Sequence, residues 1–299
     1  MKNYRLITDN FSPLGRILRA EFEAKFANPK TTHSHRFVWD FWNVPGQYTH
    51  LRTPAEHFFR ARPYSQFLKR LGDWARFNLG CSAITPPWLS YYVEGCEQRL
   101  HSDVPHGPWA FVYSLSPRVR KFTGGETLLL RPETLNYWQN FVDASDREMS
   151  SFVERIDPRF NRLVVFDPRI PHGVTRVAGT MDPREARLVL HGWFSDPRPC
   201  IDGALSARQA APALDEAVGA FSSTIAALGV WHGILSLRIS VAASGTTAGV
   251  KILADTLVAI QGDSSQAGRI RGLAVKAFGA LRFPRAARGS LITLPLLFR

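Results

Sequence analysis

At 299 residues, with 45% hydrophobic and 21% charged side chains, the chain has the composition of a folded protein able to bury a large core, which excludes a disordered or fibrous class. Its net charge of +12 is spread over both halves rather than gathered into an arm, so no nucleic-acid partner is expected; scattered basic residues form a solvated surface instead. Three cysteines without a CxxC spacing exclude a disulfide framework and a zinc knuckle, and they point to a reduced, cytoplasmic protein.

The start, MKNYRLITDNFSPLG, shows no apolar stretch of signal-peptide length, so no secretion signal is expected there. From Phe11 to Phe26 the apolar residues Leu14, Ile17, Leu18, Phe22 and Phe26 recur at helical spacing, and Phe58 to Leu79 has the same period. Between them, RFVWDFWNVPG alternates and stops at Pro45-Gly46, which predicts a strand or an extended lid edge. After Pro86-Pro87 come short β-rich runs separated by turn residues: WLSYYVEG, WAFVYSLS, ETLLLRP, RLVVFD, GVTRV and ARLVLHGWF. Such a series is the pattern of a sandwich or barrel, here with a helical buttress in front of it.

A turn-rich stretch, Asp196-Pro197-Arg198-Pro199, reads as a linker. It divides the chain into a domain over 1–199 and a second over 206–299. The second opens with an amphipathic helix over 206–228, carrying Ala211, Leu214, Val218, Phe221, Ile225 and Leu228. Then follow GILSLRISVAASG and GVKILADTL as strands, a helix over GRIRGLAVKAFGAL, and a closing strand SLITLPLLF, a small α+β order. The longest apolar region, FSSTIAALGVWHGILSLRISVAA, is broken by Ser, His and Arg, so no membrane span is predicted.

The chemistry gathers in the first domain. In RLHSDVPHG, His101 and Asp103 stand two residues apart, so on a strand both side chains face the same way. That pair alone is weak evidence of a metal site, since a His-x-Asp tripeptide occurs by chance in many chains and is more often two polar residues on one strand face. His172, at the start of GVTRV after the apolar RLVVFD, adds a second imidazole. Two imidazoles and one carboxylate on one face leave coordination positions open, the facial arrangement of non-haem Fe(II) oxygenases. Arg187, inside ARLVLHGWF, offers a guanidinium that keeps its charge when desolvated and matches both oxygens of a carboxylate. Alternation sends Arg187, Val189, His191 and Trp193 to one face. Arg176 and Arg184 lie between His172 and Arg187, the first just past the histidine and the second in a hairpin loop after Asp182-Pro183, which leaves Arg187 as the residue inside the strand.

Several pieces together resemble one family. They are Tyr92-Val93-Glu94-Gly95, His101-Ser102-Asp103, Phe122-Thr123-Gly124-Gly125-Glu126-Thr127-Leu128, Asn161 to Phe166, His172-Gly173-Val174, and Arg187 followed by Trp193. In this order they resemble the 2-oxoglutarate and Fe(II)-dependent dioxygenases, in particular the prolyl 4-hydroxylase-like branch, over about residues 88–195. The resemblance implies a double-stranded β-helix, a jelly-roll of cupin type, with iron held by His101, Asp103 and His172. It implies Arg187 on the distal carboxylate of 2-oxoglutarate, with Tyr92 assisting, and a requirement for dioxygen, with ascorbate as an accessory. It also implies hydroxylation of an unactivated C–H bond in an amino-acid, peptide or small-metabolite substrate. Asp103 argues against halogenation, since related halogenases lack that carboxylate. The competing reading is an oxygenase-like binding or scaffold protein without activity.

Other residues weigh less. His33-Ser34-His35 is a candidate metal pair in a polar loop, and Phe37, Trp39, Phe41 and Trp42 are candidate core or cleft residues. His106 stands near the triad, and Gly124-Gly125 lacks the Lys-Ser/Thr of a phosphate loop. The C-terminal stretch over about 230–298 resembles the TonB C-terminal domain, which implies protein contact or oligomerisation rather than catalysis.

Overall fold

The computed structural model describes residues 4–28, 39–103, 106–131, 134 and 152–298. By contacts it divides into a larger unit, Leu6–Arg70 with Ile84–Phe194, and a smaller one, Met1–Arg5 with Leu71–Ala83 and Ser195–Arg299. His33, Ser34, His35 and Phe37 lie outside the described residues.

The elements run β1 (Arg5–Thr8), α1 (Leu14–Phe26), β2 (Asp40–Val44), β3 (Tyr48–Pro54), α2 (Ala55–Phe58), α3 (Ala61–Leu79), β4 (Cys81–Ile84), β5 (Trp88–Tyr92), β6 (Glu97–His101) and β7 (Trp109–Ser114). Then come β8 (Thr127–Leu130), β9 (Val153–Ile156), β10 (Leu163–Phe166), β11 (His172–Val174), β12 (Arg187–Pro197) and β13 (Cys200–Gly203). The chain closes with α4 (Ala207–Ala226), β14 (Val230–Val241), β15 (Thr247–Asp255), β16 (Val258–Gln261), α5 (Ala267–Gly279) and β17 (Ser290–Phe298).

In the larger unit one antiparallel sheet curls round in the order β1-β10-β7-β12-β5-β3-β6-β11-β8-β9, with β2 added on β3. The curl brings the inner faces of β5, β7 and β12 opposite those of β6 and β11, which is the double-stranded β-helix expected from the sequence. Helix α1 covers it as the predicted buttress. Leu18 and Phe22 are fully buried, whereas Ile17 is exposed, so the buried stripe is narrower than the apolar spacing suggested. Asn161 ties the helix start to the barrel: its Oδ1 accepts from the Ser12 amide at 2.9 Å and from the Tyr113 hydroxyl at 2.7 Å. Beside α1, Phe22, Phe58, Trp39 and Tyr91 form an aromatic cluster of edge-to-face and tilted pairs. Trp39, half-buried, packs into this cluster, while Trp42 lines the cavity described below.

The smaller unit has the sheet order β13-β17-β14-β15, with β16 on β14. Ser206 caps α4 in a reciprocal box with Gln209. Leu214 and Phe221 of that helix join Ile270, Ala274 and Phe278 of α5 over Leu235, Leu237, Ile239, Ile292 and Leu294 of the sheet. This unit also takes the end of α3, which the linker-based division at Pro199 had placed elsewhere. The reason is polar: the Phe77 carbonyl accepts from the Thr293 hydroxyl at 2.9 Å, and the Leu79 carbonyl from the Ser236 hydroxyl at 2.9 Å. These are the orphan carbonyls at a helix end, satisfied by side chains of buried strands. Among the described residues no helix is long and apolar enough to cross a membrane.

Candidate active site

A cavity of about 450 Å³ opens inside the barrel of the larger unit. Its wall is built by alternation. Tyr48, His50 and Arg52 project from β3, Trp88 and Tyr92 from β5, and Arg187, Val189, His191 and Trp193 from β12.

His101 ends β6 and His172 opens β11, and the antiparallel register sets the two directly opposite each other. Their rings lie 4.5 Å apart between centroids. Gly173 permits that approach, since a Cβ there would stand 2.5 Å from the Gln98 carbonyl oxygen. Asp103 follows β6, where its amide donates to the Pro168 carbonyl at 2.9 Å. Its carboxylate oxygens then lie 3.7 Å from His101 Nε2 and 3.4 Å from His172 Nε2.

The ring tautomers follow from the backbone. His101 Nδ1 is 2.8 Å from the Arg99 carbonyl and His172 Nδ1 is 2.9 Å from the Ile170 carbonyl, and a carbonyl only accepts, so both Nδ1 atoms carry the hydrogen. Both Nε2 lone pairs are therefore directed, with the Asp103 oxygens, toward one point. Three electron-pair donors converging without a proton between them are repulsive unless a cation sits there. Ligand atoms about 2.1 Å from a metal and at right angles to one another lie about 3 Å apart, so the observed separations fit a divalent ion with small adjustment. Among the described residues these three side chains form the cluster able to hold a metal ion. Burial lowers the His101 pKa, which favours the neutral, ligating form.

Arg187 is 1% exposed, one of the largest fully buried side chains. Its Nε donates to the Gly125 carbonyl at 2.7 Å and its Nη2 to the Thr127 hydroxyl at 3.2 Å. Its Nη1 is buried with no partner. A desolvated guanidinium with a donor left unmade costs free energy unless an anion completes it. The Gly125 carbonyl reaches the guanidinium because Gly125 turns with φ +75°, a region that disfavours a side chain; a Cβ there would also stand 3.0 Å from Arg187 Cδ. Tyr92 is the cross-strand partner of Arg187, and its ring lies 4.5 Å from the guanidinium carbon. Burial pushes the Tyr92 hydroxyl up to about 12, so it stays a donor. Of the other two arginines, Arg184 is exposed and bonded to Asp182 at 2.6 Å, and Arg176 is exposed.

His191 lines the same wall, its Nε2 2.8 Å from the Ser90 hydroxyl. His106 stacks on Trp193 at 4.4 Å. The sequence reading missed His50 and Arg52. The signal was present, because Tyr48, His50 and Arg52 alternate in YTHLRTP, but a polar alternation reads as a solvent face. His50 is 3% exposed and stacks on Tyr92 at 5.3 Å, and neither of its ring nitrogens has a partner.

Burial, with the neighbouring Arg52 and Arg187 charges, pushes His50 down to about 3. A base whose folded pKa is depressed below its unfolded value of about 6.5 binds fewer protons folded than unfolded. Its contribution to stability is therefore intact above about 6.5 and is lost as pH falls toward 3. From pH 6.5 to 5 the loss at this one residue should be roughly 2 kcal/mol. Urea unfolding of the metal-free protein at both pH values measures it, and the His50→Phe protein, which keeps the stack, should show that much less acid destabilisation. Equal acid sensitivity in both proteins would contradict the assignment.

Residues 87–195 match the family model of the 2OG-Fe(II) oxygenase superfamily. That segment is an oxygenase domain of this superfamily and carries all four residues, His101, Asp103, His172 and Arg187. The protein is an iron(II)- and 2-oxoglutarate-dependent dioxygenase. Among solved structures, the chain is similar to a prolyl hydroxylase from Trichoplax adhaerens in complex with a hypoxia inducible factor peptide (17% identity, 65% of this chain and 84% of that one, TM-score 0.46). It is also similar to a prolyl-4-hydroxylase from Pseudomonas putida (19% identity, 64% and 92%, TM-score 0.44) and to a viral collagen prolyl hydroxylase from Paramecium Bursaria Chlorella virus-1 (12% identity, 64% and 94%, TM-score 0.41). No curated protein matches the sequence.

Proposed function

We propose that the protein hydroxylates an unactivated C–H bond of an amino-acid, peptide or small-metabolite substrate, with His101, Asp103 and His172 holding the iron and Arg187 holding the distal carboxylate of 2-oxoglutarate. The observation that carries this reading is the unpartnered Nη1 of buried Arg187 in the same cavity as three convergent lone-pair donors. When bound, iron and 2-oxoglutarate supply the oxidising power: dioxygen is consumed, the co-substrate leaves as succinate and carbon dioxide, and one oxygen atom goes to the substrate.

The chain's own residues do the rest. The Arg99 and Ile170 carbonyls hold each imidazole in its ligating tautomer. Gly125 and Thr127 fix the plane of the Arg187 guanidinium before a ligand arrives, so little ordering entropy is lost on binding. Tyr92 packs on it and keeps its hydroxyl protonated as a further donor. Phe166 and Val174 line the cavity beside the triad and keep water out. Ascorbate serves as an accessory reductant that keeps the iron ferrous.

The C-terminal unit supplies no residue to the cavity wall, which lies in Leu6–Arg70 and Ile84–Phe194. We assign it, on the resemblance of residues 230–298 to the TonB C-terminal domain, a role in protein contact or oligomerisation. The three free cysteines support a reducing, cytoplasmic location.

The test is turnover of 2-oxoglutarate to succinate by the full chain with Fe(II), ascorbate and air, followed by mass spectrometry. Succinate should form, slowly without substrate, and the His172→Ala protein should form none above the protein-free rate. A protein that binds Mn(II) and 2-oxoglutarate yet gives no succinate would instead be a scaffold.

A further inference from the structure

One charge in the cavity has no task in the chemistry above. Arg52 projects from β3 into the cavity, and its guanidinium carbon lies 3.4 Å from the Trp42 ring centroid and 4.0 Å from that of Trp88. Two indoles therefore hold the guanidinium between them and leave its edge, which carries the N–H donors, as the part able to take a ligand. The clamp follows from register. Trp42 is the cross-strand partner of His50, and Arg52 is the partner of Ser90, so all four side chains share the inward face.

Among the described residues the guanidinium is unpaired. Its Nε is buried with no hydrogen-bond partner, and among the described residues it makes neither a hydrogen bond nor an ion pair. Asp40, its partner across β2 and β3, attracts it without forming an ion pair. Within the cavity the remaining charges balance without Arg52. This step rests on the reading of the metal and co-substrate given above: a divalent iron and the Arg187 cation offset the 2-oxoglutarate dianion and the Asp103 carboxylate. His50 and His191, both pushed down to about 3 by burial first of all, are neutral. One positive charge, clamped between two aromatic faces, is left over beside the reacting centre.

We propose that Arg52 is a specificity-determining residue that takes a carboxylate of the substrate, so that the substrate is a small carboxylic acid whose apolar body packs against Trp42 and Trp88. The planar fork matches a carboxylate bidentately, and the flanking rings exclude the water that would otherwise screen the pair. A neutral substrate would leave the guanidinium desolvated and unmatched, which is the basis of discrimination against amides and esters.

The experiment uses the full chain loaded with Mn(II) and 2-oxoglutarate, so that Arg187 is already engaged. Fluorine NMR line widths follow titration with 4-(trifluoromethyl)benzoate and, separately, 4-(trifluoromethyl)benzamide. The acid should bind at least roughly tenfold more tightly than the amide. In the Arg52→Gln protein that preference should vanish through loss of acid binding alone, and Arg52→Lys, which keeps the charge but not the fork, should retain part of it. Thermal melts check that each variant is folded. Equal binding of acid and amide, no binding of the acid, or an unchanged preference in Arg52→Gln would each overturn the proposal. Paramagnetic broadening by Mn(II) reports proximity to the triad. If Mn(II) is not retained, the metal reading fails, while the acid-over-amide difference and its dependence on Arg52 remain readable from the diamagnetic line widths.

Discussion

An Arg187→Ala protein should bind 2-oxoglutarate at least roughly a hundredfold more weakly than the wild type, because a charge-assisted, two-pronged contact in a desolvated pocket is worth a few kcal/mol. Arg187 is placed for that contact before any ligand arrives. Its Nε and one N–H of Nη2 are taken by Gly125 and Thr127, which leaves Nη1 and the second N–H of Nη2 as the end-on fork. Arg176→Ala and Arg184→Ala should change the affinity by less than about twofold, since exposed charges at a distance are screened by solvent. Calorimetric titration of each Mn(II)-loaded variant with 2-oxoglutarate measures the three values. Arg187→Lys separates recognition from structure: it keeps a buried cation but not the fork, so it should fold and recover part of the affinity. Normal binding by Arg187→Ala, with failure in one of the other two, would show that the carboxylate is held elsewhere.

The sequence displayed this arginine because it opens an apolar strand run. ARLVLHGWF reads as a buried run, and a charge inside such a run demands a partner. The same reasoning found the strands β5, β7, β10 and β12, all with mostly buried residues. It failed where the inward face is polar. Strand β3 puts Tyr48, His50 and Arg52 into the cavity, and local pattern cannot distinguish a polar face turned to water from one turned to a substrate. It also missed the short strands β1, β9 and β16, whose four residues each are too few to show a period. By contacts, residues 71–83 group with the C-terminal unit, which the sequence did not suggest. The carbonyls of Phe77 and Leu79 find their donors more than 150 positions away, at Thr293 and Ser236 respectively, and no local signal announces such a partner. The candidate triad's members were legible from the motifs that resemble the family, but the pairing of His101 with His172 was not, because strand register is a property of the whole curled sheet.

Register is also what distinguishes His172 from His191, the two imidazoles that the sequence places on strands facing one cavity. His172 lies opposite His101, with Nδ1 committed to the Ile170 carbonyl and Nε2 free beside Asp103. His191 has its Nε2 committed to the Ser90 hydroxyl and is absent from the cluster within ligating distance. A fourth protein ligand would, moreover, occupy a position needed by the co-substrate or dioxygen. The His172→Ala protein should therefore bind Mn(II) or Fe(II) at least roughly a hundredfold more weakly, a larger loss than the 10–100-fold typical of a group that only supports a ligand. The His191→Gln protein, which can still bond to Ser90, should stay within about threefold of the wild type. Water-proton relaxation on titration with Mn(II) reads both affinities directly, without any turnover. Comparable loss of metal in the two proteins would place His191 among the ligands and remove the open position on which the oxygenase reading depends.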